Sequence, residues 1–175
     1  MKKSYYLLFT LAIILFSCGS DDLNNNVKGK MKIGGNKHNL KSGTIENWGE
    51  SEDGELYSFD ITLFSNKIKF LGDELMPTEQ SISAVSFELW SENASTLAEG
   101  TYLYDSEQTQ DAFTLSEAEI IINYNFSTED GIYYNINSGE IEVFKNDELY
   151  EINFEGSSIE GESISIEYKG KLTAR

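Results

Sequence analysis

Tyr57-Ser58-Phe59-Asp60-Ile61-Thr62-Leu63 alternates apolar and polar side chains without interruption. An extended chain points successive side chains to opposite faces, so this period of two reads as a strand with one dry face and one wet face. The same grammar recurs in Val85, Phe87 and Leu89, in Ile120, Ile122, Tyr124 and Phe126, and in Ile164, Ile166 and Tyr168. It recurs again in Tyr150, Ile152 and Phe154, with Glu151, Asn153 and Glu155 between and after them. Parallel strands are covered on both faces and read as continuous apolar runs; alternation marks antiparallel sheets.

Turn signals separate these segments: Gly34-Gly35, Glu52-Asp53-Gly54, Asn93-Ala94-Ser95, Asp130-Gly131, Lys145-Asn146-Asp147 and Gly156-Ser157-Ser158. Glycine, Asn and Asp supply the left-handed backbone and side-chain-closed turns that hairpins need. Nine or ten strands are expected. Residues 113–119 read as a candidate helical turn, and the single proline, Pro77, marks the longest loop. The fold class is all-β: an antiparallel β-sandwich or a flattened lipocalin-like barrel. A hollow barrel would line its cavity with Phe59, Phe87 and Tyr124. An internal echo adds to this. Ser42-Gly43-Thr44-Ile45-Glu46 returns as Ser138-Gly139-Glu140-Ile141-Glu142, and Glu55-Leu56-Tyr57 as Glu148-Leu149-Tyr150. Each copy reads as strand, turn, strand.

The amino-terminal end is written differently. Lys2 and Lys3 precede an apolar run over residues 5–16, about 12 residues and too short to cross a bilayer as a helix of roughly 20. This is the pattern of a signal peptide. Leu15-Phe16-Ser17-Cys18 resembles the lipobox of bacterial lipoproteins, and Gly19-Ser20-Asp21-Asp22 resembles the acidic export signal of Bacteroidota lipoproteins sent to the outer face of the outer membrane. Cys18 is the only cysteine, so it has no disulfide partner in the chain. The resemblance implies that residues 1–17 are removed and that Cys18 carries a covalent lipid. Residues 18–27 then form an acidic, Asn-rich tether, and residues 28–175 a single all-β domain. Further along, Glu99-Gly100-Thr101-Tyr102, Ser138-Gly139-Glu140-Ile141-Glu142-Val143, Tyr150-Glu151-Ile152-Asn153-Phe154 and Tyr168-Lys169-Gly170-Lys171-Leu172 resemble small Bacteroidota outer-membrane lipoproteins. That resemblance implies a β-sandwich or lipocalin-like shape and carries over no catalytic residue. The implied location is the outer membrane, lipid-anchored and facing the cell surface or the periplasm.

Residues 1–17 hold two of the 13 basic residues and none of the 30 acidic ones, leaving 11 against 30 and a formal charge of −19 over 158 residues. Such a chain repels phosphates, which argues against nucleic acid as a partner and against direct contact with anionic headgroups. The one histidine, His38, stands in a polar segment with no nucleophile elbow around it, and zinc would find a single nitrogen donor there. Carboxylate pairs for glycoside hydrolysis occur everywhere among 30 acids, and the spacing selects none. No enzymatic activity is expected. Calcium favours oxygen-rich acidic loops, and Glu50, Glu52 and Asp53 form the densest one, without the spacing of a helix-loop-helix calcium site. No other cofactor is indicated. Trp48 and Trp90 share the polar phase of their strands, where an exposed indole stacks on a sugar or anchors a protein. The expected function is a non-enzymatic, lipid-anchored surface module for a glycan, a small apolar ligand or an envelope protein; the alternative is an accessory component of an envelope complex.

Overall fold

A computed structural model describes residues 27–51, 54–72, 74–76 and 78–175; Cys18, Glu52, Asp53 and Pro77 lie outside them. The chain forms β1 (Lys28–Ile33), β2 (Asn36–Leu40), β3 (Ser42–Glu50), β4 (Tyr57–Phe64), β5 (Lys69–Leu71), β6 (Glu74–Met76) and β7 (Ser81–Ser91). It continues with β8 (Gly100–Tyr104), β9 (Thr114–Asn125), β10 (Asp130–Asn146), β11 (Leu149–Ser158), β12 (Ser163–Gly170) and β13 (Thr173–Ala174). No helix occurs among the described residues. Residues 113–119, expected as a helical turn, instead lead into β9: Phe113 takes a positive φ of 59° and its amide donates to the Trp90 carbonyl, which aligns the chain with β7.

Eleven strands make one curled sheet in the order β13-β3-β4-β7-β9-β8-β10-β11-β12-β1-β2, and β5 and β6 form a separate hairpin. The expected nine or ten strands therefore undercount. The sheet is also mixed, because β8 runs parallel to β9 and β13 parallel to β3. β9 and β10 pair directly over Glu119–Asn125 and Asp130–Asn135, then diverge and admit β8 between them.

Curling follows from two short crossings. Leu40 pairs with Gly29 on one edge, and after Lys41 alone the chain starts β3, where Ser42 pairs with Phe64. At the carboxyl end only residues 171 and 172 separate β12 from β13, which lies against β3. The two ends of the strand order are thus drawn together into a half-barrel.

The dry phase of the quoted strands enters one core, except at Tyr124 and Phe126. Phe59, Ile61, Leu63, Val85, Phe87, Leu89, Ile120, Ile152, Phe154, Ile164 and Ile166 are all buried in it. Each such side chain contributes about 1.5–3 kcal/mol relative to exposure. Phe87 and Phe154 meet across the interior with ring centroids 5.3 Å apart, so side chains occupy the space in which a hollow barrel would hold a ligand. Tyr124 departs from the expected phase. Asn123 bulges with φ 53°, its amide donating to Ser83 Oγ, and the register shifts between Ile82 and Ala84. Tyr124 and Phe126 consequently pack with Phe64, Ile82 and Ala84 on the outer side of the sheet.

The echoed segments form the β3–β4 and β10–β11 hairpins, one in each half of the sheet. Gly34 and Gly35 close the β1–β2 turn with φ 52° and 86°, and Asp147 turns β10 into β11 at φ 55°. Two expected turns move. Gly156, Ser157 and Ser158 remain in β11, and the chain reverses at residues 126–129, just before Asp130-Gly131.

Candidate binding face

Trp48 stands where the β3–β4 register slips. Asn47 pairs with Phe59 and Gly49 with Ser58, which leaves Trp48 as the extra residue of a bulge. Gly49 takes φ 98° there, a conformation that costs glycine little, and its amide donates to Asn47 Oδ1 at 2.8 Å. The bulge sends the indole to the outer face, where Trp48 is 65% exposed. Its Nε1–H donates to Asp60 Oδ2 at 2.9 Å, which fixes the ring over the neighbouring strand.

Asp60 belongs to a row of carboxylates that only the sheet register assembles. Glu46 lies opposite Asp60, Asp60 opposite Glu88, and Glu88 opposite Glu117, across β3, β4, β7 and β9. Glu119 lies opposite Ser86 one pair further along, and Ser86 Oγ is 3.1 Å from Thr62 Oγ1. Asp60, Ser86, Glu88, Glu117 and Glu119 line a shallow depression of about 230 Å³. Arg175 pairs with Glu46 at 3.2 Å; among the described residues Glu88, Glu117 and Glu119 have no cation within 4 Å.

Like charges directly opposite each other destabilise a sheet. Partial burial raises the Asp60 carboxyl above its ordinary value; the Trp48 N–H opposes that shift, and the charges of Glu88, Glu46 and Glu117 reinforce it. Because the folded value exceeds the unfolded one, this group's contribution to stability falls as pH rises from the ordinary carboxylate value through the raised value. Asp60→Asn keeps an acceptor for Trp48 and removes the charge. It is expected to raise the urea midpoint at neutral pH, by about 0.5–1 kcal/mol in stability, and to leave stability unchanged below the ordinary carboxylate value. Equal midpoints for the two proteins at neutral pH would show that the row carries no repulsion.

Trp90, expected as an exposed indole, is buried. It keeps the outward phase, yet it is only 6% exposed and its Nε1–H donates to Ser116 Oγ at 3.2 Å. β9 bulges beside it, with Glu88 opposite Glu117 and Leu89 opposite Leu115, so Ser116 is the extra residue that receives the indole. Trp90 is therefore not an exposed stacking surface. Of the loop considered for calcium, Glu50 ends β3, while Glu52 and Asp53 lie outside the described residues, as does Cys18, the residue expected to be lipidated. Among the described residues no three His, Cys, Asp or Glu side chains are grouped to hold a metal ion. His38 faces inward opposite Met31 at the margin of the core.

A larger cleft of about 470 Å³ opens beside β13, between β3 and the β10–β11 turn. Around it Lys171 pairs with Glu148, Arg175 with Glu46, and Lys145 lies over the Tyr150 ring. The buried phenols are structural. Tyr102 donates to the Ala98 carbonyl and Tyr168 to the Lys171 carbonyl, and burial pushes both up to about 12, so they stay neutral at physiological pH. No protein-family model, curated protein or solved structure matches the chain.

The residues missed by sequence reasoning are Asp60, Glu88, Glu117 and Glu119. Each sits visibly in the polar phase of a strand, but nothing in a linear sequence says which polar residues stand opposite one another.

Proposed function

We propose that this chain is a non-enzymatic, lipid-anchored cell-envelope protein that binds a glycan on the outer sheet face around Trp48. One observation carries the ligand class: an exposed indole, held in place through its own N–H, beside a depression lined by carboxylates and a hydroxyl. Indole faces stack on the C–H surfaces of sugar rings, and carboxylates accept hydrogen bonds from sugar hydroxyls. The unpaired carboxylates select against anionic polysaccharides and favour neutral or amino sugars. The lipid anchor rests on the lipobox at Cys18.

Titration with a panel of neutral polysaccharides, followed by tryptophan fluorescence, tests the reading. A binding polysaccharide is expected to perturb Trp48 emission, and Trp90→Phe to leave that response in place. Trp48→Ala should weaken binding about 30-fold, equivalent to about 2 kcal/mol. Trp48→Phe keeps a stacking ring without the donor and should fall between the two. Unchanged affinity in Trp48→Ala, or no response to any polysaccharide, sinks the glycan reading.

A further inference from the structure

The charge of this acidic chain is unevenly distributed. Residues 23–45 contain Lys28, Lys30, Lys32, Lys37, Lys41 and His38 and no aspartate or glutamate. The fold gathers the lysines on one surface. Met31 and Ile33 of β1 are buried, so Lys28, Lys30 and Lys32 take the outer phase. Lys37 stands opposite Lys32, Asn39 opposite Lys30, and Lys169 opposite Lys28. A groove of about 490 Å³ runs through this face, with Lys28, Lys30, Lys37 and Lys41 on its walls and Glu167 as the carboxylate among its lining residues. Lys30 pairs with Glu167 at 2.8 Å, Lys41 approaches Glu79 at 3.9 Å and Lys169 pairs with Glu151. Lys28, Lys32 and Lys37 are exposed and have no carboxylate within 4 Å among the described residues.

Lysines commonly protect an exposed sheet edge, and β2 is such an edge. That explanation covers Lys37 only. Lys28, Lys30 and Lys32 belong to β1, which is paired on both sides by β12 and β2. The position of the chain entry adds a second argument. Val27, the first described residue, lines the same groove. Cys18 is nine residues upstream, a span of at most about 30 Å when fully extended. A lipid on Cys18 would hold this face, rather than the carboxylate row, nearest the bilayer. Where this face meets the end of β7, at Ser81 and Ser83 beside Asn39 and Lys41, Glu88 stands five or more residues further along the strand, roughly 16 Å away, and at physiological salt charges are screened beyond about 8 Å.

We infer that the basic outer face of β1 and β2 docks on the phosphate-bearing headgroups of the membrane in which the chain is anchored. Net charge alone argues against headgroup contact; the segregation of the lysines reverses that conclusion for this one face. The inference rests on the lipid anchor in the proposed function and is independent of the glycan.

The test uses the full lipidated chain in vesicles, with a single dye-labelled cysteine at Asn39→Cys or at Glu117→Cys and an energy acceptor on the headgroups. Vesicles are phosphatidylcholine alone or with about 30 mol% phosphatidylglycerol. Adding phosphatidylglycerol is expected to raise transfer to the Asn39 label about twofold and not to the Glu117 label, and about 0.5 M NaCl should abolish the increase. The exposed triple substitution Lys28→Gln, Lys32→Gln, Lys37→Gln should also remove it. Transfer that is indifferent to phosphatidylglycerol, or an increase that survives in the triple variant, overturns the inference. Flotation with phosphatidylcholine vesicles reads the anchor separately. If the chain does not float with them, the anchor is wrong. The basic face is then read by low-salt flotation with phosphatidylglycerol vesicles, where retention of the parent chain and loss of the triple variant support it and no retention overturns it.

Discussion

Phe154→Ala is expected to lower the stability of the domain by about 3–5 kcal/mol, a large share of the roughly 5–15 kcal/mol typical of a folded domain. The side chain is fully buried, and its ring meets that of Phe87 at 5.3 Å and 44°. Phe87 comes from β7 and Phe154 from β11, which are far apart in strand order, so their contact joins the two halves of the curled sheet. The same ring also covers Gly139 and Gly156, where a built Cβ would come within 2.8 Å and 2.4 Å of it. Truncation therefore removes the cross-core contact and uncovers a glycine pair with no side chains to collapse into the space. Urea unfolding followed by the emission of buried Trp90 measures the loss. Phe154→Leu keeps most of the volume and should lose about 1–2 kcal/mol. A drop below about 1 kcal/mol for the alanine variant would show that the halves are held together elsewhere.

Gly139→Ala should cost about 2–4 kcal/mol although it adds a single methyl group. Gly139 has φ 138°, which L side chains rarely adopt, and lies opposite Gly156 in the β10–β11 hairpin. A Cβ at this position would stand 2.5 Å from the Glu155 carbonyl oxygen and 2.8 Å from the Gly156 Cα. Both are backbone atoms, so no rotamer change relieves the overlap. Gly35→Ala is the comparison: φ is 86°, nothing lies within 4 Å of the added carbon, and only the conformational penalty of about 1 kcal/mol remains. Equal losses at the two positions would mean that backbone conformation, not crowding, limits Gly139.

The binding face illustrates how far sequence reasoning reaches. The outward phase of Trp48 follows from simple alternation through Glu46, and the bulge at the indole preserves it. Trp90 has the same phase and the opposite fate, because its cover comes from Ser116, 26 residues away in the chain. Tyr124 and Phe126 fail for a related reason. One residue inserted at Asn123 moves everything beyond it to the other face, and a bulge depends on what the neighbouring strand offers, here the hydroxyl of Ser83. The carboxylate row and the lysine face are composed of ordinary surface residues whose meaning lies in their neighbours.

By itself the sequence determined the all-β class, the inward set of most strands and the hairpin nature of the two echoed segments. These are local properties: side-chain alternation and turn chemistry act within a few residues. Only the tertiary structure decided the curled eleven-stranded order, the filled core, the burial of Trp90 and the alignment of Glu46, Asp60, Glu88 and Glu117. Strand order and register are set by contacts between residues distant in the chain, and a period of two says which face a residue takes without saying which residue it will face.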